Sequence, residues 1–221
     1  MVIETAHQIS GRDGRPEVIW EENMKKILFV ILQQYADWEA AYIASAIAML
    51  GQGQYGIQTL SLSKDSVRSI GGFTVLPDHD ISSVPDDHEA LILIGGMTWR
   101  SEDARQLIPL VKECWQKGKI LGGICDASAF LGTAGVLNDV IHTCNDLSDL
   151  KQWAGPVYTG ETKYIAKQAV RDKNIITANG TAPLEFAKEI LLALDVASEE
   201  KIKGWYDFHK LGYYTASMPE M

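Results

Sequence analysis

Three cysteines are few, and odd in number, for a chain of 221 residues, which argues against a disulfide-stapled secreted fold. Prolines are scarce too, at 7, and the 19 glycines follow no period, so collagen-like and low-complexity classes are excluded. Basic residues are in the minority: 20 Lys plus Arg against 29 Asp plus Glu leave a net charge of −9. No basic cluster is present to neutralise a run of phosphates or an anionic bilayer, so neither nucleic acid nor membrane is an expected partner. No segment supplies the roughly 18 consecutive apolar residues that a spanning helix needs. The amino terminus lacks the basic start and apolar stretch of a secretory signal. The expectation is a cytoplasmic chain whose thiols stay reduced.

What is present is core material, 46% hydrophobic against 22% charged, enough at this length for one substantial core without staples. Residues 1–23 are polar and contain the breaker cluster Gly11-Arg12-Asp13-Gly14-Arg15-Pro16 ahead of Met24-Lys25-Lys26. They read as a leader, non-native or disordered, before a single domain over residues 24–221.

From there strands and helices alternate. The continuous apolar run 27–32 is the signature of a strand covered on both faces. Asp37 is placed to cap a helix running to about Leu50, and residues 55–62 form a second strand. Residues 67–81, with Gly71-Gly72, read as a hairpin excursion. A buried strand at 90–94 ends in Gly95-Gly96, a helix spans 101–117, and a strand at 120–124 leads into Cys125. An Ala-rich helix to about Leu137 and a helix at 146–153 follow. Strands at 167–171 and 174–178, and helices at 183–195 and 198–213, complete the chain. This order predicts an α/β three-layer sandwich with a mainly parallel sheet.

Ligand crevices of such sheets lie beyond the carboxyl ends of the strands. The stretch KILGGICDASAFLG puts Cys125 between a buried strand and a helix start, the arrangement of a nucleophile elbow. A helix amino terminus favours thiolate over thiol; a small buried apolar cysteine is the other reading. Gly95-Gly96 is either a close approach to the site or a tight turn. In the first case the Gly96 and Asp126 amides would serve as an oxyanion hole. Trp99-Arg100 would line the pocket rim or form a surface cation–π pair. No cysteine–histidine spacing resembles a zinc site and no glycine pattern a nucleotide loop, so no metal or cofactor is expected.

The segments KKILFVIL, DWEAA, ALILIGG, GGICDASAFL and ITANGTAPLEFAKEILLAL occur in an order and spacing that resemble the ThiJ/PfpI family, within the class I glutamine amidotransferase-like superfamily. The resemblance implies a flavodoxin-like sandwich with Cys125 on the elbow. It also implies a glutamic acid after the first strand, here Glu39, protonated and hydrogen-bonded to the cysteine sulfur. Taken alone, Glu39 is a helix-start acid favoured by the dipole.

Departures from the family pattern narrow the function. Many members place His directly after the cysteine, where this chain has Asp126-Ala127-Ser128. An ionised Asp126 opposes a thiolate and cannot replace an imidazole base, which weakens a peptidase reading. His142, in VIHTCND, is the replacement base or else a core-edge histidine. The absence of a late His-x-Glu pair argues against a glutaminase.

The expected function is a cysteine-dependent enzyme acting on small reactive carbonyl or acyl compounds, glyoxalase-like, deglycase-like or hydrolytic, with Cys125, Glu39 and His142 in catalysis. Gly95, Gly96, Asp126 and Trp99 would line its pocket. The alternatives are a non-enzymatic oxidative-stress responder built on an oxidisable Cys125, or a chaperone-like protein. A homodimer is expected, with the aromatic segment 202–214 as candidate interface.

Overall fold

Alternate residues of the apolar run 27–32 enter two different cores. Ile27, Phe29 and Ile31 pack into one and Leu28, Val30 and Leu32 into the other, as a period-2 strand buried on both faces requires. A computed structural model describes residues 24–219, together with the backbone of Ile9–Ser10 and Pro16–Glu17, which pair antiparallel. The reading of residues 1–23 as a leader otherwise lies outside the described residues.

The central sheet contains β1 (Lys25–Val30), β2 (Tyr55–Ser61), β3 (His79–Asp80), β4 (His88–Leu93), β5 (Ile120–Ile124), β6 (Ala169–Asp172) and β7 (Ile175–Ala178), in the order β6-β7-β5-β4-β1-β2-β3. Neighbours are parallel except β6 and β7, which are antiparallel across the turn at Lys173. The helices are α1 (Asp37–Leu50), α2 (Ile108–Gln116), α3 (Asp126–Thr133), α4 (Leu147–Ala154), α5 (Pro183–Leu194) and α6 (Glu199–Leu211). Side chains of α1, α5 and α6 fill one core and those of α2, α3 and α4 the other. The result is the expected three-layer α/β sandwich.

Two expectations need correction. Residues 67–81 are not one hairpin: Val67–Arg68 pairs with Thr74–Val75, and the chain then joins the central sheet as β3 beside β2. The helix expected over 101–117 is a 3-10 turn at Asp103–Leu107 followed by α2. Pro109 stands in the first turn of α2, where its missing N–H costs nothing but an upstream α-helix would be interrupted. No helix of the described residues is long and apolar enough to cross a membrane.

Parallel order brings the carboxyl ends of β1, β4 and β5 to one edge. The loop before α1, the Gly95-Gly96 loop and the β5–α3 turn all meet there.

Candidate active site

Cys125 has φ 60° and ψ −132°, a conformation that costs a non-glycine residue on the order of 1–3 kcal/mol. It is held from both sides. Its N–H donates to the Ala178 carbonyl at 3.0 Å, and its own carbonyl accepts the Ser128 N–H at 3.1 Å and hydroxyl at 2.6 Å. The side chain is partly exposed. This is the elbow expected from the sequence, locked by β7 and the first turn of α3.

Glu39 lies in the first turn of α1 and is 1% exposed. Two glycines allow it to meet the thiol. A Cβ at Gly95 would collide with Glu39 Oε2 and stand 2.6 Å from Cys125 Cβ; one at Gly180 would lie 2.9 Å from Cys125 Sγ and 3.4 Å from Glu39 Oε1. Neither carboxyl oxygen has a partner of good hydrogen-bond geometry among the described residues. The Gly95 amide and the Cys125 thiol are near enough to favour ionisation, yet burial dominates and pushes the carboxyl up to about 7. The acid is therefore poised to exchange a proton near neutrality.

The thiol differs from the sequence expectation. Burial raises its pKa and the Glu39 and Asp126 carboxylates add to that, while the side-chain amide of Asn145 and the Asp126 N–H pull it down, so the helix start offsets burial only in part. Asn145 Nδ2 donates to Cys125 Sγ at 3.3 Å, and its Oδ1 accepts the Gly180 N–H at 2.8 Å. Sequence reasoning passed over Asn145 and Gly180, although both stand inside segments already singled out, VIHTCND and ITANGTAPLEF. The other two thiols are buried, and that burial pushes each up to about 11.

Asp126 does not oppose the thiolate unaided. Arg100 Nε donates to its carboxylate at 2.8 Å, and Nη1 reaches Asp149 at 3.0 Å. The guanidinium also stacks 4.7 Å from the Trp153 ring. Both carboxylates hold the guanidinium charged, and Arg100 in turn keeps Asp149 below the usual carboxylate range. The arginine thus compensates the elbow aspartate and ties α3 to α4.

Two sequence candidates are not brought to the thiol. His142 is fully buried; Nδ1–H donates to the Val140 carbonyl at 2.8 Å and Nε2 accepts from the Tyr158 hydroxyl at 2.7 Å. Both ring nitrogens are occupied, burial lowers its pKa, and Asn145 instead supplies the side chain from this segment. Trp99 is 1% exposed, packs against Phe130 and donates its indole N–H to the Ile94 carbonyl at 2.8 Å, so it is core rather than rim. Arg100 stacks on Trp153, not on Trp99. Gly96 bridges Tyr35 through the amides of Ala36 and Met97, which leaves its own N–H out of that ladder.

The DJ-1/PfpI family model matches residues 25–193. The uncharacterized protease YdeA of Bacillus subtilis (strain 168) is 41% identical over 194 residues, covering 86% of this chain and 94% of that protein. The solved structure of a ThiJ/PfpI family protein from Bacillus anthracis superposes with a TM-score of 0.78 at 32% identity, over 85% of this chain and 91% of that one. The DJ-1 superfamily protein Atu0886 from Agrobacterium tumefaciens gives 0.77 at 36%, over 85% and 99%.

Proposed function

Because the chain belongs to the DJ-1/PfpI family, we propose that it is a cysteine-dependent enzyme acting on small reactive carbonyl or acyl compounds, glyoxalase-like, deglycase-like or hydrolytic. One observation carries the reading: the partly exposed Cys125 sulfur receives the Asn145 amide and shares the Gly95–Gly180 gap with a carboxyl that titrates at about 7. A raised thiol pKa calls for a base at the moment of attack, and Glu39 has the right acidity for it.

In the addition step the Cys125 S–H proton passes to the Glu39 carboxylate as the sulfur bonds to the carbonyl carbon. The carbonyl π pair moves to oxygen, where the Asp126 N–H and the Asn145 amide, the donors at the sulfur, would receive the charge. Return of the proton from Glu39 to that oxygen gives a neutral hemithioacetal. With an acyl substrate, loss of the leaving group gives a thioester for water to open.

The name of the Bacillus subtilis relative, an uncharacterized protease, is compatible with the hydrolytic branch. Peptide hydrolysis draws less support, because the four described histidines are engaged elsewhere: His79 with Gln58, His88 with Cys114, His142 with Tyr158 and His209 with the Trp205 carbonyl. A second reading, oxidation of Cys125 to a sulfinate by two equivalents of a hydroperoxide, each reduced to its alcohol or water, is favoured by the unpartnered Glu39 carboxyl, which would donate to a sulfinate oxygen. The three free cysteines fit a reducing cytoplasm, and we propose a homodimer as the working assembly. Turnover of methylglyoxal and p-nitrophenyl acetate by wild type and C125S tests the enzyme reading. Turnover abolished in C125S supports it, and equal rates reject it.

A further inference from the structure

A concavity of about 670 Å³ opens beside the thiol, and we infer that it is an anion subsite with Lys167 as its cation, so that the preferred substrates are carbonyl compounds carrying a carboxylate. This rests on the assignment of Cys125 as nucleophile.

Two contacts place the concavity against the sulfur. Asn145 lines it and also donates to Cys125 Sγ at 3.3 Å. Asn179 and Thr181 line it as well, on either side of Gly180, and a Cβ at Gly180 would stand 2.9 Å from Sγ. In this proposal a substrate whose carbonyl reaches Cys125 extends its remaining atoms past Asn145 along this wall.

Two side-chain donors of the wall, Lys167 Nζ and Gln168 Nε2, lack a close acceptor among the described residues. Asn145 Oδ1 already accepts the Gly180 N–H at 2.8 Å. Asn179 Oδ1 accepts the Thr181 N–H at 3.0 Å and hydroxyl at 2.6 Å, and Gln168 Oε1 accepts Asn179 Nδ2 at 2.7 Å. Every side-chain amide oxygen of the wall is thus spoken for. Gln168 Nε2 makes only a long contact of 3.4 Å to the Thr181 hydroxyl, and Lys167 forms no ion pair among the described residues. A hollow whose side-chain amide oxygens are satisfied, and in which Lys167 and Gln168 keep donors free, selects an anion over a cation.

No carboxylate lines the hollow, where Lys167 is the one charged residue among the described ones. Asp126, outside the lining, shares the Arg100 guanidinium with Asp149. Asp146 accepts the Asp149 N–H at 2.8 Å as the cap of α4. Glu39 belongs to the floor beneath the sulfur rather than to the lining of the hollow. Within the lining the one charge, Lys167, is thus opposite in sign to the net charge of −9 of the chain.

Iodoacetate and iodoacetamide test the proposal without requiring turnover, since they share a leaving group and differ in charge. The rate ratio, iodoacetate over iodoacetamide, is measured at Cys125 by peptide mapping in the folded protein and in the same chain unfolded in urea. The expected ratio is about fivefold higher in the folded protein and shrinks with added salt. K167Q lowers it towards the unfolded value, and K167R keeps it. Labelling by both reagents at the unfolded-chain ratio, or a ratio insensitive to K167Q, overturns the subsite alone. Failure of both reagents to label folded Cys125 overturns the nucleophile assignment and the subsite with it.

Discussion

Asn145 donates its side-chain amide to the Cys125 sulfur across 3.3 Å while its carbonyl oxygen accepts the Gly180 N–H at 2.8 Å. One planar group thereby fixes the thiol and the loop that walls it. A hydrogen bond to a charged acceptor is worth about 1.5–3 kcal/mol, so N145L is expected to slow Cys125 alkylation near neutral pH by on the order of tenfold. The measurement is the iodoacetamide rate at Cys125, and an unchanged rate would reduce Asn145 to a loop tie.

Glu39 makes stability depend on pH. Burial raises its carboxyl from 4.5 to about 7, so the folded state holds a proton that the unfolded state releases. Its contribution is fully present below pH 4.5, falls as pH rises, and is lost above about 7; the span corresponds to on the order of 3 kcal/mol. E39Q, neutral at every pH, should be more stable than wild type at pH 8 and converge with it at low pH. Urea titrations across that range check this; a constant offset would contradict it.

Arg100 should matter to the thiol without touching it. R100M leaves Asp126 and Asp149 uncompensated, and Asp126 adjoins Cys125 in sequence. Cys125 alkylation at neutral pH is expected to slow several-fold, and high salt should restore part of the loss. The global effect should stay within about 1 kcal/mol, since the pair is part-exposed. A wild-type alkylation rate in R100M would remove the arginine from the site.

Gly95 is a space requirement. The added methyl of G95A meets Glu39 Oε2, and it stands 2.6 Å from Cys125 Cβ and 2.7 Å from the Ile124 carbonyl. Overpacking of this kind costs typically 1–3 kcal/mol. Thermal unfolding of G95A should show that loss together with a suppressed thiol; unaltered stability and reactivity would show that the loop yields.

Assembly is testable at the carboxyl end. Ile202 and Trp205 of α6 are buried in the protein's own core, while Leu211, Tyr213 and Tyr214 are exposed. Removing α6 would therefore strip core side chains and confuse folding with association. Sedimentation velocity at micromolar concentration is expected to show a dimer, and Tyr213→Ser with Tyr214→Ser to weaken it. A single monomeric species for the wild type would reject the dimer, and unaltered association of the double variant would clear the tail.

Much of the fold was readable because local signals agree. The run 27–32 reads as a strand covered on both faces, and α1 ends at the expected Leu50, but its cap is Ala36, because the Asp37 carboxylate accepts the Gly71 N–H at 2.7 Å instead. Strand β3 was hidden because two residues leaving a hairpin carry no period of their own. In the site, Cys125 and Glu39 were legible from local chemistry and family resemblance. His142 drew attention as the titratable group of its segment, but its ring turns inward to Tyr158 while Asn145, three residues on, faces the sulfur. Trp99 misled for a similar reason: its indole bonds back to Ile94, a direction that depends on the backbone after Gly96. Gly180 becomes part of the site only when β7 is laid beside β5.

Whether Cys125 is the reactive thiol of a built site is tested most directly by iodoacetamide labelling of all three cysteines in one sample. Peptide-resolved rates are followed from pH 6 to 9. Cys114 and Cys144 are buried and pushed up to about 11, whereas Cys125 is partly exposed with Asn145 and the Asp126 amide on its sulfur. The account predicts that Cys125 labels at least tenfold faster than either of the others throughout that range. Equal rates at the three thiols, or faster labelling of Cys114 or Cys144 in the folded protein, would contradict it.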